Sequence, residues 1–159
     1  MISIEEGLSI VKSCGQAVIG PDFMPVESIP LSSAVGRILR TVVSLDTDAP
    51  PFDRSIRDGF ALRAEDIVDA PKELSVIGES RAGASFEGII GQGECCEIMT
   101  GAAVPTGANA VVMVEDTEPG NDAGWVRIKR HVPSGQSIQR MGTEALAGEQ
   151  IFNVGREIR

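Results

Sequence analysis

Tyrosine is missing from this 159-residue chain, and tryptophan and histidine occur once each. Aromatic residues make up only 4%, so aromatic packing does not dominate the core. The lone His131 has neither a second His nor a Cys nearby, which excludes a structural zinc site and leaves it as a solvated strand-end residue. Cysteine is scarce and odd in number: Cys14, Cys95 and Cys96. Cys95 and Cys96 are adjacent, and strand neighbours point to opposite faces, so they are poor disulfide partners. With no C-x-x-C, the pattern fits reduced thiols and a cytoplasmic location. Positive charge is also short. Lys and Arg number 14 against 23 Asp and Glu, a formal net charge of −9. Nucleic acid is thereby excluded as the main partner, because binding it needs concentrated Lys and Arg. An anionic substrate has to be held by local donors against the global field. No apolar run approaches membrane-spanning length. The opening Met1-Ile2-Ser3-Ile4-Glu5-Glu6 has neither the basic start nor the long apolar run of a signal peptide.

What is present is a globular balance, 42% hydrophobic and 23% charged. Gly (18) and Pro (9) are spread along the chain, as in a turn-rich, largely β protein. The most distinctive stretch runs from Pro50 to Arg63. Pro50 and Pro51 stiffen its entry. The polar residues Asp53, Arg54, Ser55, Arg57 and Asp58 follow. Asp58-Gly59 is a turn signal, since Gly tolerates φ > 0 and Asp bonds its own backbone. Phe60-Ala61-Leu62 then starts a strand. So dense a polar turn is more than a spacer needs, although a plain surface loop has the same composition.

Around it, Ser3 and Glu6 form a capping box for a helix of about ten residues, with Ile4, Leu8 and Val11 on one face and Gly15 as its stop. Gly20-Pro21-Asp22 is a loop. A helical turn ends at Gly36, and a strand runs through Val42-Val43-Ser44. Residues 63–67 make one helical turn. Leu74–Glu79 and Glu94–Met99 read as strands. Pro119-Gly120-Asn121-Asp122 is a hairpin turn before the strictly alternating Gly124–Arg130. Glu115 and Asp116, at the end of an apolar strand, are acids of the type that binds Mg²⁺, though such pairs are often solvated. Thr100-Gly101, after a strand, is able to present a hydroxyl and bare N–H groups to an oxyanion; on the residues alone a tight turn with Thr bonding backbone is the favoured reading.

Three segments together resemble the molybdopterin molybdenumtransferases, the MoeA and gephyrin E-domain family. Pro50–Leu62 is similar to P-P-F-D-N/R-S-A-M-D-G-Y-A-V, departing at Ile56, Arg57 (for Met), Phe60 and Leu62. Met99–Val112 is similar to M-T-G-A-P-V-P-x-G-A-D-A-V-V, departing at Ala103 and Asn109. Val132–Glu149 is similar to V-x-x-G-Q-N-I-R-R-x-G-E-D-x-x-x-G-E, keeping Arg140 and Gly142 and replacing an Arg by Gln139 and Glu-Asp by Thr143-Glu144.

The resemblance covers only the amino-terminal region of the family, whose molybdopterin-binding domain and C-terminal β-barrel would lie beyond this chain. It implies a mixed α/β, mostly β, elongated fold with a short N-terminal helix. Residues 1–26 would hold the helix and a loop, 27–50 and 138–159 a discontinuous β domain, and 51–137 an inserted α/β domain. The implied reaction is insertion of molybdate into adenylylated molybdopterin with Mg²⁺-dependent release of AMP. The site would lie between this region of one subunit and the catalytic domain of its mate in a homodimer. A molybdopterin-adenylating enzyme would be the upstream partner, and the fragment alone would be inactive. Asp58 and Thr100 would be catalytic, with Asp58 also the metal-orienting carboxylate. Ser55, Gly101 and Arg140 would face oxyanion or phosphate, and Glu144 would be a further acid at the substrate. The gephyrin branch implies an alternative, a non-catalytic scaffold of the same fold.

Overall fold

A computed structural model describes residues 3–18 and 26–159. The expected loop Gly20-Pro21-Asp22 lies outside the described residues. The order is α1 (Ile4–Val18), β1 (Val43–Ser44), β2 (Arg54–Ser55), β3 (Gly59–Leu62), β4 (Lys72–Ser80), β5 (Glu94–Ile98), β6 (Ala110–Met113), β7 (Thr117–Pro119), β8 (Trp125–Ile128), β9 (Ile138–Gln139) and β10 (Gln150–Phe152). Single 3-10 turns occupy Leu31–Ser33, Ala64–Ile67 and Val114–Asp116. The chain is mostly β with a single α-helix among the described residues.

The capping box forms at the start of α1. The Glu6 N–H donates to Ser3 Oγ at 3.1 Å, and the Ser3 N–H donates to Glu6 Oε2 at 2.8 Å. The helix runs 15 residues and passes through Gly15 instead of stopping there. A single Gly costs a helix about 1 kcal/mol relative to Ala, and that alone does not end one.

Contacts divide the chain into two units, Met1–Val43 with Gln150–Arg159, and Ser44–Glu149. In the first unit, residues 36–39 exchange backbone hydrogen bonds with 155–158: Gly36 N–H to Ile158 O at 2.8 Å, Leu39 N–H to Arg156 O at 2.9 Å and Ile158 N–H to Arg37 O at 2.9 Å. Gly36 closes the preceding turn with φ of 79°. The division falls at 43/44 and 149/150, whereas the sequence reading drew it at 50 and 138. The reason is a ladder inside the second unit. Leu45 N–H donates to Glu149 O at 3.0 Å, Ala49 N–H to Ala145 O at 2.8 Å and Glu144 N–H to Ala49 O at 2.8 Å.

The second unit is built on a six-stranded sheet of order β6-β3-β5-β4-β8-β7. β3 lies antiparallel between β5 and β6, β4 runs parallel to β5, and β7 and β8 form the expected hairpin. Apolar side chains cover both faces of β3. Leu62 packs with Ile67, Leu74, Cys95, Val112 and Ile128, while Ala61 packs with Ile98, Ala102 and Val111. A strand buried on both sides reads as a continuous apolar run, as β3 does. β8 alternates instead, with Val126 and Ile128 buried and Trp125 and Arg127 exposed. Cys95 and Cys96 are buried free thiols. Burial pushes the Cys95 thiol up to about 12 and the Cys96 thiol up to about 11, so neither supplies a reactive thiolate. Among the described residues no helix is long and apolar enough to cross a membrane.

Candidate functional site

The register of the sheet assembles the site. Gly59, the first residue of β3, stands opposite Ile98 at the end of β5 and Met113 at the end of β6. The residues just outside those pairs therefore meet at one end of the sheet: Asp58, Thr100, and the turn that begins at Val114. The Val114 N–H donates to Asp58 O at 3.2 Å. Gly59 is essential here for packing. Its φ is not positive, contrary to the turn expectation, and a Cβ on it would collide with the Val112 carbonyl.

Asp58 is exposed, yet its carboxylate is oriented. Thr100 donates to Oδ1 twice, from its N–H at 2.6 Å and its hydroxyl at 2.7 Å. These bonds, the hydroxyl's first, hold the Asp58 carboxyl below the usual carboxylate range. Oδ2 accepts no hydrogen bond among the described residues. Asp58 and Thr100 line a hollow of about 280 Å³ together with Ile56, Arg57, Val114 and Glu115. Among the described residues no ion pair joins Arg57 to the adjacent Asp58.

Ser55 lies underneath, 1% exposed. Its hydroxyl accepts from the Arg57 N–H at 3.2 Å and donates to the Arg57 carbonyl, so it shapes the turn that carries Arg57 and Asp58. The Gly101 N–H donates to Ser55 O at 2.8 Å, and the Ala102 N–H donates to Met99 O at 3.0 Å. The N–H groups expected to face an oxyanion are thus engaged inside the fold. Gly101 is required for its φ of 82°.

A second cluster forms where β2 pairs with β9, Arg54 opposite Gln139 and Ser55 opposite Ile138. Arg54 Nε donates to Gln139 Oε1 at 2.9 Å, Arg54 also donates to Glu144 Oε1 at 3.0 Å, and Gln139 Nε2 donates to the same oxygen at 2.8 Å. Gln139, where the family pattern has Arg, bridges a cation and an anion with its two amide ends. Arg140 pairs with Asp53, whose other oxygen accepts the Met141 N–H at 2.8 Å. The Met141 bond first of all holds the Asp53 carboxyl below its usual range; burial opposes it, and Arg140 adds to the lowering.

The site residues thus fall into two groups. Asp58, Thr100 and Glu115 share the hollow, while Arg140 and Glu144 lie in the β2–β9 cluster and Ser55 and Gly101 lie in the framework that links them. Two partnerships were missed in sequence. Glu115 was weighed only with Asp116, but Asp116 pairs with Arg130 while Glu115 lines the Asp58 hollow. Asp53 was left without a role, and its partner stands 87 residues away. No group of three or more His, Cys, Asp or Glu suited to a metal occurs among the described residues. The Asp58 carboxylate, with one oxygen free in the hollow, is nevertheless of the type that binds Mg²⁺, which is commonly held by one or two carboxylates with substrate phosphates and water completing its shell.

The fold and site define a class: a β-rich module whose sheet end carries an oriented, exposed carboxylate in a polar signature loop. The chain belongs to the MoeA N-terminal family, whose model for the N-terminal region (domain I and II) matches residues 2–159. It is 36% identical over 138 residues to the molybdopterin molybdenumtransferase of Bacillus subtilis (strain 168), covering 83% of this chain and 32% of that protein. It is 31% identical over 140 residues to the one from Synechococcus elongatus, covering 85% of this chain and 34% of that protein. The crystal structure of a molybdopterin biosynthesis moeA protein from Pyrococcus horikoshii OT3 matches with a TM-score of 0.75 at 36% identity, covering 84% of this chain and 36% of that one. The chain therefore spans about a third of the length of these relatives.

Proposed function

We propose that this chain is the amino-terminal part of a molybdopterin molybdenumtransferase, contributing part of a site that inserts molybdate into adenylylated molybdopterin and releases AMP. The observation that carries the reading is the Asp58 carboxylate, exposed and ionised, with one oxygen fixed by Thr100 and the other free. Asp58, with Glu115 lining the same hollow, would hold Mg²⁺. When bound, that ion neutralises charge on phosphoryl oxygens. Asp58 and Thr100 contribute positioning and fixed charge, the larger part of catalysis in phosphoryl-type chemistry. Ser55, Gly101, Arg140 and Glu144 act as positioning residues that keep the signature loop and the 138–145 segment in register. A cytoplasmic homodimer, supplied by a molybdopterin-adenylating enzyme, is the setting we propose for the reaction.

The test is AMP release from adenylylated molybdopterin, molybdate and Mg²⁺ by the full gene product. Asp58→Asn is expected to cut it strongly with the fold intact. Full activity in that variant would overturn the reading.

A further inference from the structure

We propose that Arg54 and Gln139 are positioning residues that together hold Glu144, and that Arg54 supplies from β2 the cation that the family pattern carries at position 139. This rests on the function proposed above and deepens it by assigning the pair that aims one of the site acids. β2 and β9 run antiparallel with Arg54 directly opposite Gln139. Side chains at such facing positions share one face of the ladder, their Cβ atoms about 4.5–5.5 Å apart. A guanidinium carried by either strand therefore reaches nearly the same space. The pattern has Asn or Arg at position 54 and Arg at position 139. In this chain the amide stands on β9 and the cation on β2.

The hydrogen bonds close a network of three side chains. Arg54 Nε donates to Gln139 Oε1 at 2.9 Å. Both residues then donate to Glu144 Oε1, Arg54 at 3.0 Å and Gln139 Nε2 at 2.8 Å. Gln139 is thus engaged at both amide ends, as an uncharged relay between cation and anion. With two donors on Oε1, Glu144 Oε2 accepts no hydrogen bond among the described residues. One oxygen aims the carboxylate and the other stays open, the same arrangement that Thr100 gives Asp58. The neighbouring contact differs: Asp53 has both oxygens occupied, one by Arg140 and one by the Met141 N–H. Arg54 also leads directly into Ser55, whose hydroxyl shapes the turn that carries Asp58. One two-residue strand therefore sets the direction of both acids. The side chains of Arg54 and Glu144 are 37% and 55% exposed, and an exposed ion pair adds little to stability. What the network supplies is orientation, so its loss shows in turnover before it shows in melting.

The test is a reciprocal exchange in the full gene product, read by AMP release and by melting temperature. Arg54→Asn is expected to lower kcat about tenfold, within the range of coupling among residues that share one network. KM for adenylylated molybdopterin and the melting temperature should stay near wild type. Adding Gln139→Arg to Arg54→Asn returns the cation to β9 and is expected to recover most of the lost kcat. Glu144→Gln should lose at least as much as Arg54→Asn, and adding Arg54→Asn to it should lose no more, because both act through one carboxylate. The proposal is overturned by wild-type kcat in Arg54→Asn, by a loss carried by KM alone, by no recovery in the exchanged variant, or by additive losses with Glu144→Gln. A melting temperature that falls and recovers in step with kcat would make the pair merely structural and overturn it as well. Loss of AMP release in Asp58→Asn, with Arg54→Asn at wild-type kcat, would sink this inference alone. Unchanged AMP release in Asp58→Asn would sink the proposed function itself.

Discussion

Asp58 and Asp53 stand five residues apart, and both are held ionised below the usual carboxylate range for different reasons. Asp58 is fully exposed and tied to one residue, Thr100. Asn in its place keeps an oxygen for both Thr100 donors and removes only the charge. The melting temperature of Asp58→Asn should therefore stay close to that of wild type, as at most surface positions. AMP release should fall by about 100-fold or more, the scale seen when a preorganised electrostatic group is lost. A marked drop in melting temperature would make Asp58 structural instead. Asp53 joins two segments distant in sequence through Met141 and Arg140. A depressed carboxylate pKa contributes stability above the unfolded value, about 3.9, and that contribution fades as pH falls through the lower folded value. The gap in melting temperature between wild type and Asp53→Asn should therefore be present at pH 7 and close below about pH 4. A gap that persists into acid would mean that shape, not charge, makes the difference. Asn109 shows how a departure from the family pattern works at this scale. Its carbonyl accepts the Ala64 N–H at 2.8 Å and its amide donates to Glu65 at 2.8 Å. An Asp there would keep the first bond and repel Glu65.

Elements set by local signals were legible in the sequence. The Ser3/Glu6 capping box, the alternation of β8 and the turn at Pro119–Asp122 all depend on residues within a few positions of one another. The end of α1 was not legible, because Gly15 weakens a helix without supplying a terminus. Nor was the parallel pairing of β4 with β5 or the place of β3 between β5 and β6, since such pairings join distant residues and leave no local mark. Yet it is this order that creates the site, by setting the start of β3 against the ends of β5 and β6. Gly59 is the hinge of that arrangement. Gly59→Ala places a methyl group against the Val112 carbonyl, and overpacking of this kind typically costs about 1–3 kcal/mol. In urea the midpoint should fall while the slope m stays constant. An unchanged midpoint would show that β3 and β6 separate freely, and the register argument for the site would lose its footing.

At the scale of the whole chain, motifs in a fixed order identified the family, but the roles within them needed coordinates. The backbone donors of Thr100-Gly101 looked free in sequence and are bonded internally, and Gln139 looked like a lost contact and is a bridge. What remains at the hollow is a carboxylate fixed by Thr100, a second carboxylate and an unpaired guanidinium. No nucleophile–base pair appears among the described residues of the site, and the hollow is smaller than the substrate named by the proposed reaction. The chain spans about a third of its relatives. The 159-residue chain should therefore release no AMP above background from adenylylated molybdopterin and molybdate. The measurement is AMP by chromatography over time, with the full gene product as the positive control. AMP formed by the chain alone, and lost in its Asp58→Asn variant, would show that these residues suffice for the chemistry and that the partial-site assignment is wrong.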